Sequence, residues 1–260
     1  QYGQYTLFQS WLSIFTLICT FRLDYSVFTK GLSKFREDKE QFTASIQTTI
    51  SIFTICCLGL YLCFSKYINS FTEINTFLTV LMFCEIFVGS SMTIWSLKER
   101  FSFNYKAIIP PTILLALINP LVGIIAVNFF SSKGNARIIS SVIVQLAFGL
   151  FFYINILKNS RKLFVFKQAK YAVLFNIPLI PHYLSTYILA QADRIMIQKM
   201  CGYAEAAIYG IAYNAGALMK IVTDAINNSI IPWLYQTLEK KEFKKIEKSV
   251  VGTYKKVENT

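Results

Sequence analysis

The chain has 260 residues, of which 54% are hydrophobic and only 15% are charged, and its formal net charge is +12 at pH 7. An average soluble domain carries ~25% charged residues. Here the charges stand in gaps between long apolar runs, which excludes a soluble globular protein. Because the Lys and Arg residues are not interleaved with aromatic residues on a soluble face, the positive charge does not indicate nucleic-acid binding either.

Seven apolar runs have the length of membrane spans, since a helix needs ~20 apolar residues to cross the ~30 Å hydrocarbon core. These runs predict an all-α polytopic transmembrane helix bundle. In chain order the predicted spans are residues 7–21, 41–65, 74–97, 107–130, 138–157, 171–192 and 206–238. Residues 22–40 are predicted to be a charge-mixed loop, and residues 239–260 a charged helical tail.

The distribution of Lys and Arg predicts the orientation of these spans. The gaps after the first, third and fifth spans and the tail are rich in Lys and Arg, whereas the gaps between them hold one or two each. Cytoplasmic loops of membrane proteins collect Lys and Arg. The first residue is therefore expected outside, and the 22–40 loop and the tail inside.

No cofactor or metal is expected. Five of the six cysteines lie in apolar runs, where a thiol behaves as a small hydrophobe, and no CxxC pair is present. The loops are short and hold neither a Gly-rich phosphate loop nor a Ser/His/Asp set, so the protein is not expected to be an enzyme. The chain has no initiator Met and no signal-peptide pattern, and we expect it to be an internal piece of a longer product.

Ionisable side chains inside a membrane span are candidate functional residues, because they are costly to bury in lipid. Lys220 and Asp224 lie four residues apart, hence on one face of the seventh span. They either neutralise each other or offer Lys220 to an anionic substrate. Glu85 in the third span either accepts a hydrogen bond from Ser90 or Thr93, or couples transport to a cation gradient.

Three further candidates lie near span ends or a helix break. His182, the single histidine, follows Pro178 and Pro181, which predict an opened helix; its role is either structural or that of a titrating group. Arg194 is expected at the outer end of the sixth span and Arg22 at the inner end of the first. Both are interfacial anchors or cations for a substrate. The aromatic residues, which make up 16% of the chain, are expected to form an interfacial belt, and some of them to line a sugar-stacking path.

Several segments resemble the Wzx-type polysaccharide flippases of the multidrug/oligosaccharidyl-lipid/polysaccharide exporter superfamily. They are residues 4–13 (QYTLFQSWLS), 95–101 (WSLKERF), 178–185 (PLIPHYLS), 192–197 (ADRIMI), 209–213 (YGIAY) and 226–235 (INNSIIPWLY). The chain departs from the family at Gln198, where glycine is usual, and at residues 206–207, where two alanines replace a Val-Gly or Leu-Gly pair.

The resemblance implies a two-lobed fold with a central cavity. Residues 1–157 would hold helices two to six of the first lobe, residues 158–170 the cytoplasmic linker, residues 171–238 the first two helices of the second lobe, and residues 239–260 a cytoplasmic segment. The implied location is the bacterial inner membrane, with several passes. The implied partners are a lipid-linked oligosaccharide substrate, membrane lipids, a polysaccharide polymerase and a chain-length regulator.

The function implied by the resemblance is alternating-access translocation of oligosaccharide units linked to undecaprenyl pyrophosphate, for O-antigen or capsule (lipopolysaccharide) biosynthesis. Lys220, Arg22 and Arg194 would bind the diphosphate, and Glu85, Asp224 or His182 would couple transport to an ion gradient. Two alternatives remain: a multidrug or cation antiporter of the same superfamily, in whose cavity acidic groups should dominate, and a polytopic membrane enzyme of polysaccharide assembly.

Overall fold

The computed structural model describes residues 2–130 and 132–239. Within these residues the chain forms helices and no strand, which confirms the predicted all-α bundle. The α-helices are α1 (Tyr2–Thr20), α2 (Ser26–Lys34), α3 (Lys39–Cys63), α4 (Ser65–Thr72), α5 (Thr76–Phe101), α6 (Tyr105–Phe129), α7 (Lys133–Lys158), α8 (Phe166–Asn176), α9 (Ile180–Cys201), α10 (Tyr203–Gly216) and α11 (Leu218–Glu239). Short 3-10 turns, Arg36–Asp38 and Ile177–Leu179, precede α3 and α9.

Five of the predicted spans are confirmed as helical segments long and apolar enough to cross a membrane. Among the described residues these segments are Arg36–Cys63, Thr76–Phe101, Tyr105–Phe129, Lys133–Lys158 and Phe166–Cys201. The first and seventh predicted spans are helical but are not among the five, since polar residues such as Gln9 in α1 and Asn227 in α11 interrupt their apolar runs. Of the predicted tail only Glu239 is described; residues 240–260 lie outside the described residues.

The segment 22–40 is not the loop that its charges predicted. Residues 26–34 form α2, and Leu23, Val27, Phe28 and Leu32 are fully buried in the bundle. Val27, Phe28 and Leu32 lie on one side of α2, and Leu23 lies in the turn just before that helix, so the segment packs its apolar residues into the bundle. The prediction was wrong because it rested on the number of charged residues in the segment. Burial depends instead on which side of the helix the charged residues occupy.

Three helical paths through the bundle are interrupted. α1 gives way to α2 at residues 21–25, α8 to α9 at the turn Ile177–Leu179, and α10 to α11 at Ala217. At the first interruption Phe21 and Arg22 adopt left-handed backbone angles, with φ of 50° and 51°, which stops the helix. The interruption predicted from Pro178 and Pro181 is confirmed, since α8 ends at Asn176 and α9 begins at Ile180.

The first two interruptions support each other. The buried side-chain amide of Asn176, at the end of α8, donates a hydrogen bond to the carbonyl of Phe21. One turn further on, the hydroxyls of Ser26 and Tyr183 are hydrogen-bonded at 2.8 Å. An interrupted helix leaves backbone groups without intrahelical partners, and these cannot be left bare in lipid. A polar side chain from a neighbouring interruption supplies such a partner here.

Two buried apolar clusters hold the bundle together on either side of these interruptions. One joins α1, α3, α5 and α7 through residues that include Trp11, Tyr61 and Phe83. The other joins α2, α3 and α5 through residues that include Phe28, Phe42 and Ile94. On α6, by contrast, large side chains point outward and are exposed, as expected of a lipid-facing helix; among them are Ile109, Ile113, Leu117, Leu121 and Ile124.

Gly149 lies at a close approach of α7 to α5. A Cβ placed on it would stand 2.7 Å from Val88 Cγ2 and 2.8 Å from the Val88 carbonyl oxygen, and Ser91 donates a 2.7 Å hydrogen bond to the Gly149 carbonyl. Small residues allow membrane helices to approach in this way.

We expect Gly149→Val to lower the thermal stability of the detergent-purified protein by several degrees, because overpacking a core costs ~1–3 kcal/mol. Gly59→Val is the matched control, since a Cβ at Gly59 meets nothing within 4 Å. Fluorescence-detected gel filtration after heating measures both variants. Equal melting of the two variants would show that the α5–α7 contact does not need a glycine.

Candidate functional site

A cavity of about 780 Å³ lies where the three interrupted helical paths meet. Its wall is built by α1, α2, α5, α9, α10 and α11. The volume falls within the ~300–1,000 Å³ of pockets that enclose small-molecule ligands. The cavity therefore has the size of a ligand site, and it sits at helix interruptions, where membrane transporters commonly place such sites.

The charged residues of this wall are mostly cationic. Arg22, Arg100 and Lys220 line the cavity, and Asp224 is the one carboxylate among the lining residues in the described part of the chain. Within the described residues neither Lys220 nor Asp224 forms an ion pair. Lys220 is thus presented to the cavity rather than neutralised by Asp224, which favours the second of the two interpretations that sequence left open.

Arg22 lies deeper than the sequence predicted. The preceding residue, Phe21, contacts Phe53 near the middle of α3, with ring centroids 4.9 Å apart. This position inside the bundle, beside the middle of α3, favours Arg22 as a cavity cation over Arg22 as an interfacial anchor. Its guanidinium carbon lies 4.5 Å from the Tyr25 ring centroid, and its Nη1 lies 3.7 Å from Oδ1 of buried Asp24. Asp24 offsets part of the charge of Arg22 while the ring limits its motion.

Arg100 is a cavity residue that sequence reasoning missed. It was assigned to a basic gap after the third span, together with Lys98. The structure separates the two: Lys98 is buried and donates to both Glu40 carboxylate oxygens at 3.0 and 2.9 Å, whereas Arg100 faces the cavity. Because α5 continues to Phe101, a helical projection of residues 97–101 would have placed Leu97 and Arg100 on one face.

A second cavity of about 540 Å³ adjoins the first, and Glu85 is in its wall. Glu85 is 8% exposed, and its Oε2 has no hydrogen-bond partner among the described residues. Ser90, one of its two expected donors, instead accepts a hydrogen bond from Gln47. The two cavities share Arg22, Tyr25, Leu97, Arg100 and Asn228. The Glu85 carboxylate and the cationic residues therefore line adjoining cavities.

His182 and Arg194 differ in their relation to the main cavity. His182 lines it, in the first turn of α9. Arg194 does not: α9 continues to Cys201, so Arg194 is inside this helix rather than at its outer end, and its guanidinium carbon packs 4.2 Å from the Tyr213 ring centroid. Asp193 instead accepts a 2.9 Å hydrogen bond from Tyr209. Arg194 thus touches a cavity-lining tyrosine but does not line the cavity.

The contacts near the turn between α9 and α10 explain the departure at Gln198. This side chain is buried, and its Nε2 donates a 2.6 Å hydrogen bond to Oε2 of Glu73, which follows α4. The Tyr203 hydroxyl donates to the same oxygen at 3.4 Å. Partial burial and the neighbouring Glu73 carboxylate raise the pKa of Tyr203. A glycine at position 198 would lack the amide, so this contact between α9 and the loop after α4 depends on the glutamine.

These features define an α-helical membrane protein with an internal, cation-lined cavity at helix interruptions. The sequence profile of the polysaccharide biosynthesis protein family matches residues 1–238. The chain therefore belongs to the polysaccharide biosynthesis protein family, which confirms the resemblance found in its segments.

The chain is also similar to part of one named bacterial protein. The Lsg locus putative protein 1 of Haemophilus influenzae is 29% identical over 111 residues, which are 41% of this chain and 28% of that protein. The chain thus aligns with less than a third of the relative's length. No solved structure matches the chain significantly.

Proposed function

We propose that this protein is a flippase that carries oligosaccharide repeat units, linked through pyrophosphate to undecaprenol, across the bacterial inner membrane. The units pass from the cytoplasmic to the periplasmic leaflet by alternating access and serve O-antigen or capsule biosynthesis. The observation that carries this proposal is the set of cations on the wall of the main cavity: among the described lining residues, Arg22, Arg100 and Lys220 stand against one carboxylate, Asp224, and Asp24, outside this wall, offsets part of the charge of Arg22.

A diphosphate needs such surroundings to enter the hydrocarbon region. Moving an anion out of water is costly unless fixed positive groups replace its hydration. The helices α2, α9 and α11 each begin beside the cavity, where Ser26, His182 and Lys220 are lining residues. The N-terminal end of a helix carries a partial positive charge. Of these three starts, only that of α2 follows a residue with non-helical backbone angles, Tyr25, because α9 and α11 continue a right-handed helical path through Leu179 and Ala217. The start of α2 therefore adds to the potential that the side chains create.

The same charge balance argues against the multidrug or cation antiporter, since a site for organic cations should be rich in carboxylates. An enzyme of polysaccharide assembly is less well supported, because the polar groups line a cavity inside the bundle rather than a large outer loop. We therefore propose a transporter and not an enzyme. The two-lobed organisation, and the polymerase and chain-length regulator as partners, remain parts of this proposal that rest on the family resemblance.

Complementation tests this function. A bacterial strain that lacks its own flippase, but makes the cognate lipid-linked repeat unit, should regain surface polysaccharide when it expresses the protein from its whole gene. The lipid-linked unit should then no longer accumulate in the inner membrane. A strain that gains resistance to cationic drugs, yet displays no polysaccharide, would favour the antiporter instead.

A further inference from the structure

The aromatic residues of the main cavity are of one kind. Five tyrosines line it, and within the described residues neither phenylalanine nor tryptophan does, although the chain has 23 Phe and only 15 Tyr. The phenylalanines lie in the buried clusters and on the outer surface. A cavity for a lipid tail has no need of hydroxyls on its rings. The cavity tyrosines are Tyr25, Tyr183, Tyr187, Tyr213 and Tyr235.

Most of these hydroxyls are available to a ligand. Tyr183 is hydrogen-bonded to Ser26, but the hydroxyls of Tyr25, Tyr187 and Tyr235 form no hydrogen bond in the described part of the chain. Side-chain amides, which both donate and accept hydrogen bonds, accompany them on the wall; these are Gln191, Asn227 and Asn228. Rings with flat apolar faces, polar edges and neighbouring amides suit a ligand that is apolar on one side and hydroxylated at its rim.

A sugar ring has this chemistry: its C–H groups pack against an aromatic face, while its hydroxyls take hydrogen bonds from amides and phenols. The wall also joins the cationic residues. The guanidinium carbon of Arg22 lies 4.5 Å from the Tyr25 ring centroid and 5.3 Å from that of Tyr187. An anion at Arg22 and a sugar on the adjacent rings would be neighbours, as they are in a sugar bonded directly to a diphosphate.

We propose that the tyrosine-lined wall is a saccharide subsite, distinct from the cationic residues that hold the diphosphate. This inference rests on the proposed function and names the part of the cavity that recognises the sugars. Tyr235 is its most informative member, since it lies on α11 and, within the described residues, its ring forms no cation–π contact with Arg22 or Arg194. Changing Tyr235 therefore leaves these two cation contacts in place.

The test compares two probes on the whole protein in lipid nanodiscs: undecaprenyl diphosphate alone, and undecaprenyl diphosphate that bears one N-acetylglucosamine. The wild-type protein should bind the glycosylated probe at least ~fivefold more tightly, a ratio that one good aromatic contact provides. In Tyr235→Ala this ratio should fall to about one, with the affinity for the bare probe retained. Tyr235→Phe, which keeps the ring face, should preserve most of the ratio.

Tyr67→Ala is the matched control, because Tyr67 is 80% exposed on α4 and outside the cavity; it should behave as the wild type. Retained binding of the bare probe shows that each variant is folded. A wild-type protein that binds both probes equally, or a Tyr235→Ala variant with an undiminished ratio, would overturn the saccharide subsite. A wild-type protein that binds neither probe would overturn the proposed function itself.

Discussion

Replacing Lys220 with alanine should reduce surface polysaccharide at least ~tenfold without lowering the amount of protein in the membrane. Lys220 lines the main cavity and forms no ion pair within the described residues, so its charge is available to an anionic substrate. A hydrogen bond to a charged group contributes ~1.5–3 kcal/mol, which is roughly a tenfold to hundredfold change in affinity. Surface polysaccharide is quantified on whole cells, and membrane protein by immunoblot.

Two variants separate the charge of Lys220 from other effects. Lys220→Arg keeps a cation at this position and should preserve much of the display. Lys199→Ala removes an exposed lysine that packs on Phe71 outside the cavity, with Nζ 4.3 Å from the ring centroid, and should be silent. Unchanged polysaccharide in Lys220→Ala would remove this residue from the proposed mechanism and leave Arg22 and Arg100 as its cations.

Replacing Glu85 with glutamine should abolish the part of transport that an ion gradient drives. Glu85 is buried in the wall of the second cavity, and its Oε2 has no partner among the described residues. A buried carboxylate without a fixed partner has the chemistry to bind a proton or a sodium ion and to release it when its surroundings change, which is the coupling role we propose for Glu85. Glutamine has nearly the same shape but no charge to exchange. In proteoliposomes with an imposed proton or sodium gradient, flux through the variant should fall to the rate measured without a gradient.

The control for Glu85 is Glu205→Gln, since Glu205 is an exposed carboxylate in the first turn of α10. It should respond to the gradient as the wild type does. Binding of undecaprenyl diphosphate to Glu85→Gln should be retained, because the cations of the main cavity are intact. Normal gradient-driven flux in Glu85→Gln would exclude this carboxylate from coupling and leave Asp224 and His182, both in the wall of the main cavity.

A site residue could be predicted from the sequence only where its immediate neighbours in the chain made it unusual. Lys220, Asp224 and Glu85 were found because a charge inside an apolar run is conspicuous in the sequence itself. Arg22 and Arg100 border apolar runs, where a charge is ordinary. Arg22 was therefore predicted as either an interfacial anchor or a substrate cation, and Arg100 was not predicted as a site residue. Arg194 shows the converse: its chain position was read as an anchor or a substrate cation, yet α9 turns it toward Tyr213.

The sequence by itself determined the membrane class, the helical content, the family and the helix interruption at Pro178 and Pro181. Each of these follows from hydropathy and residue type over a short stretch of chain, because lipid requires every backbone group to be satisfied within its own helix or by a close neighbour. Only the tertiary structure decided that residues 26–34 fold into the bundle as α2 and that Arg22, Arg100 and Lys220 line one cavity. That arrangement depends on where α1, α10 and α5 end and on which helix faces pack together, and these are relations between segments far apart in the chain.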